Sequence, residues 1–407
     1  MRQGFSAARL ARIAPFLNRN YLDTGVLPGA QLLLWRRGET VLNEVVGLRD
    51  RVRGTAMEQD TIHRIYSMTK PMTSVAALML LEEGAIALDD PVAKFIPAFA
   101  DLKVYAGGGP GHFITNDAGR AMKVLDLMRH TSGLTYGFLY RTGIDAEYRR
   151  LRLAEPDLEG GLPEMMRLLA TLPLEFPPGE AFNYSVATDV LGHVVELASG
   201  MTLRQFFHKR LLGPLGMSDT DFFVAEDRRA RLATCYWSNK DDRLALWDDG
   251  VKTKLYGAPP ALESGGGGLA GTASDYLRFA RMLLNQGELD GVRYLSPKTV
   301  QLMTMNHLPS GAEIADMMPA SDLFNETGYR GVGFGLGVAV MQNLSHAALP
   351  GSIGEYGWGG LAGTFFFVDP REEMILIFMT QVIDNQVRRM RLRRDLRTLV
   401  YSALEEV

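Results

Sequence analysis

Ser67-Met68-Thr69-Lys70-Pro71-Met72 stands where one pattern gives way to another. After Ile65 a helical repeat begins, with Met72, Val75, Ala76, Met79 and Leu80 recurring on one face and stopping near Gly84. Proline is tolerated only in the first turn of a helix, so Pro71 sets a helix start near Ser67. Three residues along that helix, Lys70 lies on nearly the same face as Ser67, one turn on. A lysine so placed takes the serine proton if it is neutral part of the time, which burial and neighbouring positive charge favour. The serine also gains from the positive end of the helix dipole when an oxyanion forms beside it. The pair alone is weak evidence. With 16 serines and nine lysines in 407 residues, chance places the pattern about 0.35 times per chain. Its position at a strand-to-helix junction, fixed independently by Pro71, raises its weight.

Upstream, residues 30–48 read as two strands, AQLLLW and TVLNEVVG, turned at Arg37-Gly38-Glu39. Leu10, Ile13, Phe16 and Leu17 fall at helical spacing and predict a surface helix at the N-terminus. Downstream, residues 85 to about 250 read as helices and loops, with helices over Val124–Met128, Met165–Leu172, Asp189–Leu197 and Leu203–Leu212. Glycines and prolines gather at 107–111 and 177–179. A Gly-rich stretch, Ser264–Gly271, leads into a helix over Ala273–Leu284. Strand-like runs follow at Val332–Met341, Gly363–Val368 and Met374–Thr380, the last two forming a hairpin about Asp369-Pro370-Arg371. The final helix places Leu392, Leu396, Leu399, Val400 and Ala403 on one face, and its six arginines between 388 and 397 read as the solvated face. Strands at both ends with helices between predict an α+β chain. An antiparallel sheet is flanked by the terminal helices, with an inserted, mostly helical domain. The expected division is 1–85 with 251–407 for the sheet domain and 86–250 for the helical one.

Composition excludes several classes. The chain is 46% hydrophobic and 22% charged, with a net charge of −4, so neither disorder nor a nucleic-acid or anionic-membrane partner is indicated. The longest apolar runs fall far short of the ~18 residues of a membrane helix, and the N-terminus lacks the apolar core of a secretory signal. One cysteine, Cys235, cannot form an internal disulfide. A cytoplasmic protein is the expectation, with its oligomeric state open. No serine sits in a G-x-S-x-G frame and no histidines form H-E-x-x-H, so neither an imidazole-based triad nor a metal site is expected.

Ser67-Met68-Thr69-Lys70 resembles the S-x-x-K box of serine β-lactamases and penicillin-binding proteins. Leu127-Met128-Arg129-His130-Thr131-Ser132-Gly133-Leu134 is similar to the L-x-x-H-T-S-G-L segment of the class C β-lactamase superfamily. Phe182-Asn183-Tyr184-Ser185 resembles the segment bearing the second-motif tyrosine, and residues 268–275 the stretch before a superfamily helix. Tyr356-Gly357-Trp358-Gly359-Gly360 falls where the K-T-G box would be. Order and spacing fit, and the resemblance covers nearly the whole chain. With W-G-G in the third box it is most similar to the family VIII carboxylesterases.

The resemblance implies a serine β-lactamase/penicillin-binding-protein-like fold and a serine carboxylesterase acting through an acyl-serine intermediate, without cofactor or metal. Ser67 would be the nucleophile, with Lys70 and Tyr184 sharing proton transfer. The backbone N–H groups of Ser67 and Leu361 would form the oxyanion hole. Alone, Tyr184 reads more plainly as a core tyrosine with a satisfied hydroxyl, and Trp358 has a plain sheet tryptophan as its rival. Gly359 and Gly360 would let the substrate lie close to a strand edge. Trp358 offers apolar surface and one N–H in place of a lysine, so uncharged, short-chain esters are the expected substrates. The second motif continues Ser185-Val186 and lacks the family's asparagine, which also points away from β-lactams. An acyltransferase, or a β-lactamase or D-alanyl peptidase, stays as the alternative. Tyr136, Phe138 and Tyr140 either wall the acyl pocket or form loop core. The long loop Pro309–Gly331, with Met317, Met318, Leu323 and Phe324, is placed to cover the cleft.

Overall fold

The computed structural model describes residues 3–239, 243–319, 330–383 and 386–406, with 386–390 described by backbone alone. Its centre is an eight-stranded sheet. In spatial order the strands are Val332–Phe334, Ala339–Met341, Tyr356–Gly359, Phe365–Asp369, Met374–Met379, Gly29–Arg36, Glu39–Asp50 and Thr55–Ala56. Every pairing between neighbours is antiparallel. Both hairpins read from the sequence are present. Arg37 and Gly38 take positive φ between Gly29–Arg36 and Glu39–Asp50, as the right-handed strand twist demands of a two-residue turn. The single run expected over Val332–Met341 is two short strands.

The central strands are apolar without alternation because both faces are covered. Leu33, Ile375, Ile377 and Met379 point to one face and join the main core, while Leu32, Leu34, Leu376 and Phe378 point to the other. That second face is covered by the chain ends. Leu10, Ile13 and Leu17 come from short N-terminal helical turns, and Leu392, Leu396, Val400 and Ala403 from the helix Gln386–Ser402. The first face packs on Ala273–Leu284 and, deeper, on Lys70–Glu82.

Lys70–Glu82 was expected to bury one face. Instead every residue from Lys70 to Leu80 is buried, because Ala187–Ser199 packs on it from the inserted region. Such a helix has no polar side to show. Pro71 lies in its first turn, behind a 3₁₀ turn over Tyr66–Thr69 that holds Ser67.

Between residues 85 and 250 the expected helices occur at Val124–Met128, Gly161–Leu169 and Ala187–Ser199, and Leu203–Phe206 widens into a π-type turn over Phe207–Leu212. Two hairpins also lie there, Lys103–Gly109 with His112–Asp117 and Cys235–Ser238 with Leu244–Asp248. The first hides in a glycine run that reads as loop because it has no apolar alternation.

The arginines of the last helix are not a uniformly solvated face. Arg397 is buried in a bidentate ion pair with the buried Glu355, and Arg393 donates to the carbonyl of Thr364 at 3.0 Å. Arg391 is solvated, and the side chains of Arg388 and Arg389 lie outside the described residues. Helical periodicity cannot show these contacts, because each partner lies on a distant strand or turn.

Candidate active site

Ser67 sits on a turn held from several sides. Tyr66, just before it, takes φ +44, a left-handed conformation that costs a non-glycine residue about 1–3 kcal/mol unless its surroundings enforce it. They do. His63–Arg64 pairs with Ala270–Gly271, and Ile65 N–H donates to Leu269 O at 3.0 Å. Arg64 is fully buried against Asp248 and also donates to Ala233 O. Tyr276 OH donates to Met68 O at 3.0 Å.

Lys70 is fully buried. Its ammonium donates to Ser67 Oγ at 3.2 Å, Tyr136 OH at 3.1 Å and Gly266 O at 2.7 Å. An ammonium has three donors, and all three have acceptors. The Tyr184 ring lies beneath it, with Nζ 4.6 Å from the ring centroid, close enough for a cation–π attraction. The Tyr184 hydroxyl accepts from Trp358 Nε1 at 3.3 Å. The Ser67–Lys70 pair, Tyr184 and Trp358 therefore meet in one place, though far apart in sequence.

Tyr136, which sequence reads as pocket wall or loop core, brings its hydroxyl to Lys70. Burial, then the negative charge of Asp189 and the neighbouring Tyr184, hold the Tyr136 phenol well above its ordinary range, so it stays protonated. Its ring stacks on Phe138 at 4.6 Å. Phe138 is partly exposed and lines the cavity, and Tyr140 lies more exposed at its rim. His130 lies 4.8 Å from Tyr184, ring to ring, among Phe182 and Phe334. Burial, then the charge of Lys70, keeps it neutral, and neither ring nitrogen has a hydrogen-bond partner. It is no base for Ser67 in this arrangement.

The third box forms the strand Tyr356–Gly359 and the turn that follows. Gly360 N–H donates to Thr364 O at 2.7 Å and Gly363 N–H to Gly360 O at 3.1 Å, which makes Leu361 the second residue of a tight turn. Ser67 and Leu361 line the same cavity. Gly359 and Gly360 line the cavity and also make room for the protein's own atoms. A Cβ on Gly360 would overlap the Ile65 carbonyl and Thr364 Oγ1, and one on Gly359 would overlap the Arg393 guanidinium. Gly360 thus docks the turn against Ile65, two residues before Ser67, and Gly359 admits the Arg393 side chain.

From Ser67 the cavity extends past Tyr184 and Trp358 to Phe222, Trp247, Leu255 and Leu262. Met317 and Met318 pack beside Phe182, Phe334 and Trp358. Leu323 and Phe324 lie outside the described residues. Among the described residues no three His, Cys, Asp or Glu side chains gather as a metal site, and no helix is long and apolar enough to cross a membrane.

Two partners of Lys70 escape sequence reading. The Gly266 carbonyl carries no side-chain signal, and the role of the Tyr136 hydroxyl depends on a loop path. A third residue, Asp189, left one sign, a lone acid inside the apolar stretch Val186–Val195.

Residues 17–399 match the family model described as Beta-lactamase. The chain belongs to that family. A Mycobacterium tuberculosis protein, Rv1367c, is 38% identical over 89% of this chain and 88% of its own length. Esterase EstB of Burkholderia gladioli is 32% identical, covering 87% of this chain and 86% of EstB. The solved structure of EstCE1, described as a hydrolase with promiscuous acyltransferase activity, superposes with a TM-score of 0.77 at 28% identity, over 97% of this chain and 99% of that one. The resemblance read from the motifs thus holds along the chain, and the α+β fold with it. This β-lactamase-family protein is a serine hydrolase, of a group that cleaves esters or transfers acyl groups.

Proposed function

We propose that this protein is a carboxylesterase that hydrolyses uncharged, short-chain acyl esters through an acyl-Ser67 intermediate. The observation that carries the proposal is the 3.2 Å contact of Lys70 Nζ with Ser67 Oγ, in a buried site that opens on a largely apolar cavity. Lys70 and Tyr184 act as one proton-transfer unit. The unit takes the Ser67 hydroxyl proton as Oγ attacks the ester carbonyl. The N–H groups of Ser67 and Leu361 hold the oxyanion, each such donor being worth about 2.7–4 kcal/mol. When the tetrahedral adduct collapses, the alcohol leaves with the proton from the unit. Water then gives a proton to the unit as it attacks the acyl carbonyl, and the unit returns that proton to Ser67 Oγ as the C–O bond to serine breaks and the acid leaves.

Trp358 supports the preference for uncharged substrates. Its N–H is engaged by Tyr184, and it brings no positive charge to meet a substrate carboxylate. Beside Ser67 the cavity runs past Tyr184 and Trp358 towards Phe222 and Leu262, which leaves room for an alcohol portion beyond a short acyl group. The single, buried Cys235 suits a reducing compartment and a cytoplasmic location.

Acyl transfer to an alcohol is the second reading, favoured by the activity printed for EstCE1. A β-lactamase or D-alanyl peptidase ranks below both, because Trp358 and Val186 stand where the family's lysine and asparagine would be. A chain-length series of p-nitrophenyl esters, run beside nitrocefin and repeated with a competing alcohol, separates the three. Fast turnover of short esters with water as acceptor is expected. Nitrocefin turnover as fast as that of the best ester, or products dominated by the new ester, would overturn the esterase reading.

A further inference from the structure

One buried charge takes no part in the steps above. Asp189, in the first turn of Ala187–Ser199, is fully buried. Its Oδ1 accepts from Ser264 Oγ at 2.5 Å and from Gly266 N–H at 3.0 Å. Its Oδ2 is buried without a hydrogen-bond partner. Gly266 also accepts from Lys70 through its carbonyl, so one glycine joins the carboxylate to the ammonium, N–H to the anion and C=O to the cation. No side chain fits there, since a Cβ on Gly266 would come within 2.5 Å of Oδ2.

A buried ammonium is costly without a countercharge. The three acceptors on Lys70 are neutral oxygens. The titratable groups that face it are Tyr136 from the loop after Gly133, Tyr184, His130 and Asp189. Tyr136 is a protonated phenol and His130 a neutral imidazole. That leaves Asp189, on the helix packed against Lys70, as the carboxylate of the group. Burial holds its carboxyl above the usual carboxylate range, and attraction to Lys70 with the bonds from Ser264 and Gly266 draws it back towards the ionised form.

We propose that Asp189 is a positioning residue that sets the pH range of the Lys70–Tyr184 unit, acting across Gly266 without touching the substrate. The sign does not depend on which member of the unit carries the proton. A nearby negative charge stabilises the ammonium of Lys70 and disfavours a phenolate at Tyr184. Both effects raise the pH at which the unit becomes a base.

The proposal rests on the reading of Lys70 and Tyr184 as the proton-transfer unit. The test is the pH profile of kcat/KM for p-nitrophenyl butyrate with wild type and Asp189→Asn, which keeps the acceptor for Gly266 and removes the charge. The acid limb is expected to move down by about one pH unit or more. Asp189→Glu, where it folds, should hold the limb near its wild-type position. An active, folded Asp189→Asn with an unmoved limb overturns the proposal and leaves the esterase reading intact. Full activity in Ser67→Ala sinks that reading itself. Should Asp189→Asn lose its near-UV circular dichroism, Asp189→Ser makes the same test with the same outcomes.

Discussion

Tyr136→Phe separates the two phenols that lie against Lys70. The substitution removes the hydroxyl 3.1 Å from Lys70 Nζ and keeps the ring, with its stack on Phe138 and its 5.4 Å contact with Tyr184. Of the three acceptors on a buried ammonium, one disappears. A hydrogen bond to a charged group is worth about 1.5–3 kcal/mol net. The loss falls on the protonated form of Lys70, so its hold on the proton weakens by about 1–2 pH units. The acid limb of activity should shift down by that amount. On the plateau kcat should fall by no more than about tenfold if Lys70 and Tyr184 form the proposed proton-transfer unit, since burial holds the Tyr136 phenol protonated. Tyr184→Phe removes a member of the proposed proton-transfer unit, and on that proposal its kcat should fall by about 10²–10⁴. Steady-state hydrolysis of p-nitrophenyl butyrate from pH 5 to 9, with thermal unfolding to verify the fold, reads both. If Tyr136→Phe loses a hundredfold or more while Tyr184→Phe stays near wild type, the assignment of the two tyrosines is reversed.

Gly360→Ala should force the turn bearing Leu361 away from the Ile65 carbonyl. A cost of about 1–3 kcal/mol in stability is expected, with kcat reduced by up to about 10²–10³ if one oxyanion donor moves out of range; a wild-type kcat would remove the turn from the mechanism. Arg64→Met leaves Asp248 buried without its guanidinium and should cost about 3–5 kcal/mol, read from the urea midpoint; unchanged stability would contradict the anchoring role given to this pair. His63 is fully buried, and burial holds it at about 3. The unfolded chain gains a proton near pH 6.5 that the folded one refuses, so stability should fall by about 1.4 kcal/mol per pH unit as pH drops from 6.5 towards 3. His63→Asn should flatten that slope by the same amount, and an equal slope in the variant would refute the assignment.

Local signals carried the fold further than the site. The helix start at Pro71, the hairpins about Gly38 and Pro370, and the apolar face of the last helix all follow from spacing and turn chemistry, and all are present. Ser67 and Lys70 were legible as a pair because a helix fixes their separation. Tyr184 and Trp358 reached the site through resemblance, and their meeting with Lys70 depends on how the inserted region packs on the sheet. Contacts whose partners are backbone atoms left no trace, among them Gly266 O on Lys70 and the Ile65 carbonyl under Gly360. The arginines of Gln386–Ser402 misled for the same reason. Helical periodicity shows which face is polar, and a partner such as Glu355 on another element decides whether a polar side chain is buried.

Catalysis by this site requires a covalent bond on one hydroxyl, that of Ser67. Rapid mixing with p-nitrophenyl butyrate, an acid quench and peptide mass analysis would trap it. The predicted result is one butyryl group on the peptide containing Ser67, formed within the first turnover, lost on further incubation and missing in Ser67→Ala. An active wild-type enzyme that never carries that group, or that carries it on a different residue, would contradict the account.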